Sequence, residues 1–380
     1  MHEFLIKELS NTNIEYELQN IGYDNSYADK AAQKFEYKNF KIYNLTAPQA
    51  NILKQTALTV GADCGTHRQT ITGQLDTTDC ILGGSLSQIK KIAQKIQYQP
   101  FGLKELGLLL DKQLQQNNQA TKTQIMGILN VTKNSFSDGG KYFNFEDSIK
   151  HLHELIEDRA DIIDIGAEST KPYSTAVAAE DQLLKLLPIL EYIKKNNITI
   201  PISIDTRCAE VAQKCIEMGA NIINDVSGFD YDSKMPEIIA QNKDIKIIIQ
   251  HSKGTPENMQ NCPHYDNLMD EIYINLKNKV DFAISKGIKK ENIIIDPGIG
   301  FGKTKDNNLE ILKRWQELKT IGCPVLIGLS RKSLLAIPEE DNLTKDIYSL
   351  ALNSILINEH IDYIRVHNVK IHKKLENILN

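Results

Sequence analysis

The chain has 380 residues, 41% hydrophobic and 24% charged, a composition of ordinary soluble globular proteins that excludes a disulfide-stapled miniprotein or a wholly disordered chain. Forty-four Lys and Arg against 49 Asp and Glu give a net charge of −5, poor electrostatics for gripping a nucleic-acid backbone, so any anionic ligand must be met by local groups. No window approaches the about 18 consecutive apolar residues of a membrane span, and the opening MHEFLIKELS lacks the basic-then-apolar order of a signal peptide; a cytoplasmic location is expected.

Residues 1–120 come first. Apolar runs at 40–45, 52–60 and 81–86 and a helical pattern at 103–114 predict a small α/β or α+β domain, with no motif that assigns it a role. Cys64, His67 and Cys80 are too loosely spaced, and lack a fourth partner, to read as a metal site. The six cysteines, which also include Cys208, Cys215, Cys262 and Cys323, form no CxxC pair and read as reduced thiols; Cys208 and Cys215 would share one core-facing stripe of a helix. The polar stretch QLQQNNQATKTQ at 113–124 reads as a linker and puts a domain boundary near 120.

From 121 to 380 strand-like runs at 124–131, 162–166, 202–205, 221–224, 245–251, 293–296, 325–328 and 363–366 alternate with helical patterns at 146–159, 181–195, 210–218, 266–286, 309–318, 345–358 and 371–379. Eight such units in a segment of this size predict a closed (β/α)₈ TIM barrel, since a doubly wound open sheet normally stops at fewer strands. Barrels bind ligands at the carboxyl ends of their strands. Those ends read Asn130, Asp164 with Glu168, Asp205, Asn224 with Asp225, His251, Asp296, Ser330 to Lys332, and Arg365 with His367. One Asp or Asn at a strand end is as often a loop cap as a site residue; polar groups at all eight ends point to a single site.

DPGIGFGKT (296–304) invites a phosphate-loop reading, but Pro297 stands where a Walker A loop needs its first glycine and the GxGxxG spacing fails, leaving a mobile glycine-rich loop as the plainer reading. Ser330, Arg331, Lys332 and Ser333 follow the seventh strand and offer cations and hydroxyls to an anion; Arg365 and His367 end the neighbouring eighth strand and could close on a diphosphate from the other side. Asp205 and Asp296 have apolar flanks and need donors or cations. A pterin ring supplies donors at its 2-amino group, N3 and N8, and Asn224 can donate or accept along that edge. A divalent metal held by both carboxylates is disfavoured, because histidines near the mouths are few and no HExxH spacing appears. Asn130 could give a carbonyl oxygen to Mg²⁺, whose other ligands would be a diphosphate and waters. The first loop, 132–140, is polar and glycine-ended, as a lid over a site would be.

MGILNVTKNSFSDGG (126–140), DIGAESTKP (164–172), SIDT (203–206), NIINDVSG (221–228), DPGIGFGK (296–303), GLSRKS (328–333) and RVHNV (365–369) closely resemble dihydropteroate synthase, over residues 123–380. The resemblance implies a (β/α)₈ barrel, usually homodimeric, that joins dihydropterin-CH₂-diphosphate to p-aminobenzoate and releases diphosphate. It further implies that Asp205, Asn224, Asp296 and Lys332 hold the pterin, that Arg365 and His367 bind the diphosphate, and that Asn130 sits by Mg²⁺. Ser169 and Thr170 would border substrate and the aminobenzoate entrance. Lys332, Arg365 and His367 would then be the catalytic groups, stabilising charge that grows on the leaving diphosphate. The chain departs from the family's pattern at Lys133 and Asn134 (commonly Pro-Asp), Lys171 (Arg), Tyr173 (Gly), Gln250 (Met) and Asn368 (Asp). A methyltetrahydrofolate:corrinoid methyltransferase shares the barrel and the pterin-binding Asp and Asn positions, but a methyl donor expels no diphosphate and gives the SRKS and RVH blocks little purpose. A pterin-binding protein without catalysis would not need Asn130, Lys332, Arg365 and His367 together.

Overall fold

The structure, a computed structural model, describes residues 5–9, 13–115, 122–131, 145–168, 177–254, 263–332 and 340–379. It divides into two compact units, Met1–Asn118 and Gln119–Asn380.

The first unit runs α1 (Ile14–Asn20), α2 (Ala28–Ala32), β1 (Tyr37–Leu45), α3 (Ala47–Thr59), β2 (Asp63–Thr66), β3 (Thr78–Ser85), α4 (Leu86–Ile96) and α5 (Leu103–Gln115). Its three strands form an antiparallel sheet in the order β1-β3-β2. Capping boxes start α3, where Thr46 pairs with Gln49, and α4, where Ser85 pairs with Gln88, satisfying amides that a helix start leaves bare. Ile89, Ile92, Ala93 and Ile96 put one apolar stripe of α4 into a core shared with Leu53 and Leu82. Cys64 and Cys80 lie in that core on neighbouring strands, their thiols in contact, and that contact with burial pushes Cys64 far above the ordinary thiol range. Among the described residues no three His, Cys, Asp or Glu side chains are grouped to hold a metal.

The second unit runs β4 (Gln124–Asn130), α6 (Phe145–Glu157), β5 (Ile162–Gly166), α7 (Ala179–Lys195), β6 (Ile202–Asp205), α8 (Ala209–Glu217), β7 (Ile222–Asp225), α9 (Met235–Gln241), β8 (Lys246–Gln250), α10 (Leu268–Ser285), β9 (Ile293–Asp296), α11 (Lys305–Arg314), β10 (Leu326–Ile327), α12 (Asn342–Asn358), β11 (Tyr363–Val366) and α13 (Val369–Leu379). The eight strands are parallel, in the order β10-β11-β4-β5-β6-β7-β8-β9. A parallel bridge from Ile295 to Val325, with the Ile295 amide donating to the Pro324 carbonyl at 2.9 Å, joins the two ends of that order and closes a (β/α)₈ barrel. Helix α9 was not expected: seven residues show too little periodicity to read. The pattern at 309–318 splits into α11 and a 3₁₀ segment, Trp315–Ile321, that stops at left-handed Gly322.

Alternation along the strands places the site. Outward residues such as Ile163, Ile165, Ile204, Ile223, Ile249 and Ile295 pack into the main core, and inward Met126, Ile162, Ile222, Ile248, Ile294 and Leu326 plug the barrel as a separate cluster. Two residues further along, the inward positions turn polar: Asp164 after Ile162, Asn224 after Ile222, Gln250 after Ile248, Asp296 after Ile294, Arg365 after Tyr363. The hydrocarbon plug is thus the floor of a polar mouth. No described helix is long and apolar enough to cross a membrane.

Candidate active site

Arg365 ties the mouth together. Its Nε donates to Asp164 Oδ2 at 2.6 Å and its Nη2 to Asp205 Oδ2 at 2.8 Å, so one guanidinium from β11 spans to β5 and β6. Asn224 on β7 donates from Nδ2 to the same Asp164 oxygen at 3.2 Å. Burial alone would favour a neutral Arg365, but Asp164 and Asp205 hold it charged and raise its pKa above the ordinary value. Asp205 moves the opposite way from what one ion pair predicts. Full burial, with Asp164, Glu168 and Asp225 nearby, outweighs Arg365 and pushes its carboxyl up to about 7.

Across the mouth, Asp296 Oδ1 accepts the Gly298 amide at 2.7 Å. Burial raises this carboxyl too, against Lys332 and the Gly298 bond. Lys332 donates from Nζ to the Ile299 carbonyl and lies 4.7 Å from the centroid of the Phe301 ring. Its burial lowers the ammonium to about 8, against the attraction of Asp296 and Asp205 and with the repulsion of Arg365. Asp205, Asp296, Lys332 and Arg365 therefore share one electrostatic neighbourhood.

His367 Nδ1 lies 3.0 Å from Ser330 Oγ, and that oxygen accepts the His367 amide at 3.2 Å. A serine proton donated to Nδ1 leaves the ring proton on Nε2, and this is the tautomer assigned to the ring. Burial, then Arg331 and Arg365, lower the imidazole to about 3, so it is a neutral donor rather than a second cation. Arg331 does not serve the mouth as expected. It grips Asp346 of α12 through Nε at 2.7 Å and Nη2 at 2.8 Å, and Asn368 Nδ2 joins the same carboxylate at 3.2 Å. Its charge is already matched inside the protein.

The glycine-rich segment is packed in place. Gly298 has φ +70°, and a Cβ there would fall 2.0 Å from the His251 carbonyl oxygen; one on Gly302 would fall 2.3 Å from that of Lys253. Lys303, buried, donates to His251 Nδ1 at 2.9 Å, the Phe301 carbonyl at 3.0 Å and the His251 carbonyl at 3.3 Å, and burial lowers it to about 7. The glycines serve close backbone approach and the shaping of the Asp296 turn, instead of the mobile loop the sequence suggested.

Asn130 ends β4, half-buried. Gly166 beside it keeps space open: a Cβ there would stand 3.7 Å from Asn130 Oδ1 and 3.6 Å from Asp205 Oδ2. Gln250 faces the floor and donates to the Val226 carbonyl at 3.2 Å. Ser169, Thr170, Lys133, Asn134, Lys171, Tyr173, Ser333 and the lid expected at 132–140 lie outside the described residues. Two features escaped sequence reasoning. Asp164 appeared there only as one strand end, although its inward parity two residues beyond Ile162 was legible. Arg207 forms a buried ion pair with Glu168 at 2.9 Å and stacks 4.2 Å over the Tyr231 ring, while Glu168 Oε1 also accepts the Val177 amide at 3.3 Å. No sequence spacing marks that pair.

A family model described as pterin binding enzyme matches residues 126–367. The dihydropteroate synthase of Clostridium beijerinckii is 40% identical over 256 residues, 66% of this chain and 91% of that protein. A probable bifunctional folylpolyglutamate synthase/dihydropteroate synthase of Halobacterium salinarum is 36% identical over 333 residues. That match takes in 84% of this chain, more than the barrel unit alone supplies, and 40% of the longer relative. The crystal structure of the Yersinia pestis dihydropteroate synthase in a sulfonamide drug complex superposes with TM-score 0.65 at 32% identity, over 68% of this chain and 94% of that one.

Proposed function

We propose a reaction course from one premise: the chain belongs to the family of pterin-binding enzymes, and it catalyses dihydropteroate synthesis, a transferase step of folate biosynthesis. The substrates are a dihydropterin-CH₂-diphosphate and p-aminobenzoate. The bond between the methylene carbon and the diphosphate oxygen breaks and its electron pair leaves with the oxygen. The amine lone pair forms the new C–N bond, and the surplus amine proton passes to solvent.

The pterin ring lies in the polar mouth above the plug, with its N–H groups on Asp205, Asn224 and Asp296 and with Lys332 donating to the ring. Three acceptors and one ammonium match that ring's edge better than they match a sugar phosphate. Arg365, held by two carboxylates, keeps donors to spare for the diphosphate, and neutral His367 donates from Nε2 without needing to change charge. These groups are fixed before the substrate arrives, so little reorganisation is required as charge moves onto the leaving group. The electron-rich ring spreads the positive charge left on the methylene, and the weakly basic amine needs orientation more than activation. Ser169 and Thr170 are assigned to the aminobenzoate side on the family resemblance.

The donor set fits Mg²⁺: Asn130 offers a hard carbonyl oxygen near the carboxylate cluster, and such an ion takes most of its ligands from phosphate and water. When bound, it neutralises charge on the diphosphate. A homodimer is supported by the exposed apolar stripe Leu343, Ile347, Ala351 and Ile355 along α12, which a second copy would cover. The five described cysteines are free thiols, in keeping with a cytoplasmic location.

The observation that carries this reading is the single cluster of buried Asp205 and Asp296 with half-buried Lys332 and Arg365 at the strand ends. The test is diphosphate release by the purified protein, with and without p-aminobenzoate and with and without Mg²⁺. Release that needs the amine supports the reading, and release indifferent to it would leave only a hydrolase.

A further inference from the structure

Asp164 is fully buried, and of its two carboxylate oxygens only Oδ2 has partners among the described residues: Arg365 Nε at 2.6 Å and Asn224 Nδ2 at 3.2 Å. A carboxylate pinned by a guanidinium only accepts hydrogen bonds. The bond from Asn224 must therefore come from the amide nitrogen, and this fixes which end of the amide is which, a choice that geometry alone leaves open. The Asn224 carbonyl oxygen has no partner among the described residues. It stands at the carboxyl end of β7, in register with Asp205 on β6 and with Ile248 on β8; two residues on from Ile248, Gln250 donates its amide to the Val226 carbonyl.

We propose that Asp164 is a positioning residue that sets the hydrogen-bonding sense of the mouth: by taking the Asn224 N–H, it turns the amide oxygen to the ligand. With Asp205 and Asp296, the mouth then presents three acceptors, and it selects a heterocycle that turns several N–H groups toward them, as a dihydropterin does with N3, its 2-amino group and N8. The same carboxylate aims Arg365, because Nε is committed to Asp164 and Nη2 to Asp205, leaving the remaining guanidinium edge for the leaving group. One buried residue that touches no substrate thus governs both the ring code and the anion grip. The inference rests on the reading of the mouth as a pterin site.

The test exchanges donor and acceptor between the two positions. Binding of 6-hydroxymethyl-7,8-dihydropterin is measured by calorimetry for the wild-type protein, Asp164→Asn, Asn224→Asp and the double variant carrying both. Asp164→Asn frees the Asn224 amide to reverse, and Asn224→Asp sets two carboxylates against each other. Each is expected to weaken binding by about tenfold or more, as loss of a buried charge-assisted bond does. In the double variant the amide introduced on β5 donates to the carboxylate introduced on β7. The second oxygen of that carboxylate faces the ring, and because a single oxygen, Oδ2, takes both bonds in the wild type, the new amide must turn about χ2 to set its carbonyl oxygen on Arg365 while its nitrogen meets the carboxylate. The affinity of the double variant is expected within about threefold of wild type, a non-additivity that general loosening of the fold would not produce. A double variant as weak as the product of the two single losses overturns the assignment. If Asp164→Asn does not fold alone, the comparison of the double variant with Asn224→Asp decides it, tighter binding by the double variant supporting the proposal and equal or weaker binding overturning it. Wild-type protein that does not bind the pterin would sink the reading of the site itself, whereas wild-type binding without rescue sinks only the role of Asp164.

Discussion

Replacing Gly298 by Ala strikes the site through the backbone. At φ +70° an L side chain costs about 1–2 kcal/mol. The added Cβ would also meet the His251 carbonyl oxygen at 2.0 Å, a contact relieved only if the segment after β9 moves away from β8 by about an ångström or more. That movement carries off the Gly298 amide, which holds Asp296 Oδ1 at 2.7 Å, and a hydrogen bond to a charged group is worth about 1.5–3 kcal/mol. The expected totals are about 3–5 kcal/mol of stability, or a melting temperature lower by about 5–15 °C, and a pterin affinity weakened roughly 10- to 150-fold. Gly219→Ala is the control. Gly219 has φ +106° with nothing within 4 Å of its Cβ position, so it pays the strain alone and leaves affinity untouched. Thermal melts and pterin titrations of both variants separate the two effects. If Gly298→Ala melts with the control and binds like wild type, the packed-loop account of Asp296 is wrong.

The pH dependence of kcat/KM is expected to be a narrow bell. The Asp205 carboxylate forms only above about 7 and the Lys332 ammonium persists only below about 8, so activity falls on either side; Asp205→Asn should remove the acid limb and Lys332→Arg should move the alkaline limb upward, and limbs unmoved by these changes would detach both groups from substrate binding. Arg365→Ala should cost about 10²-fold in turnover and, by leaving Asp164 and Asp205 buried without their cation, about 3–5 kcal/mol in denaturant unfolding. Full turnover in that variant would contradict its part in expelling diphosphate. Arg331→Ala should lower stability by about 1–3 kcal/mol through the loss of Asp346, while KM for the diphosphate substrate stays within about threefold; a tenfold rise would return Arg331 to the anion site.

The barrel and its polar rim were legible along the chain. Period-two alternation and regular β/α order are local properties, and a strand such as Ile293–Asp296 carries its apolar body and its terminal carboxylate in one short run. Motif order then identified the family. Local patterns faded where elements were short, as in β2 and α9, or where two helical segments ran together, as at Trp315. Which cation serves the mouth was settled in three dimensions alone. Arg331 and Arg365 look equally available in the chain, yet Asp346 arrives from α12 to neutralise the first, while Asp164 and Asp205 hold the second in the polar mouth. The charge of His367, the packing of the glycine segment and the sense of the Asn224 amide were likewise set by distant neighbours. Burial and hydrogen-bond partners are properties of the closed barrel, and no spacing along the chain encodes them.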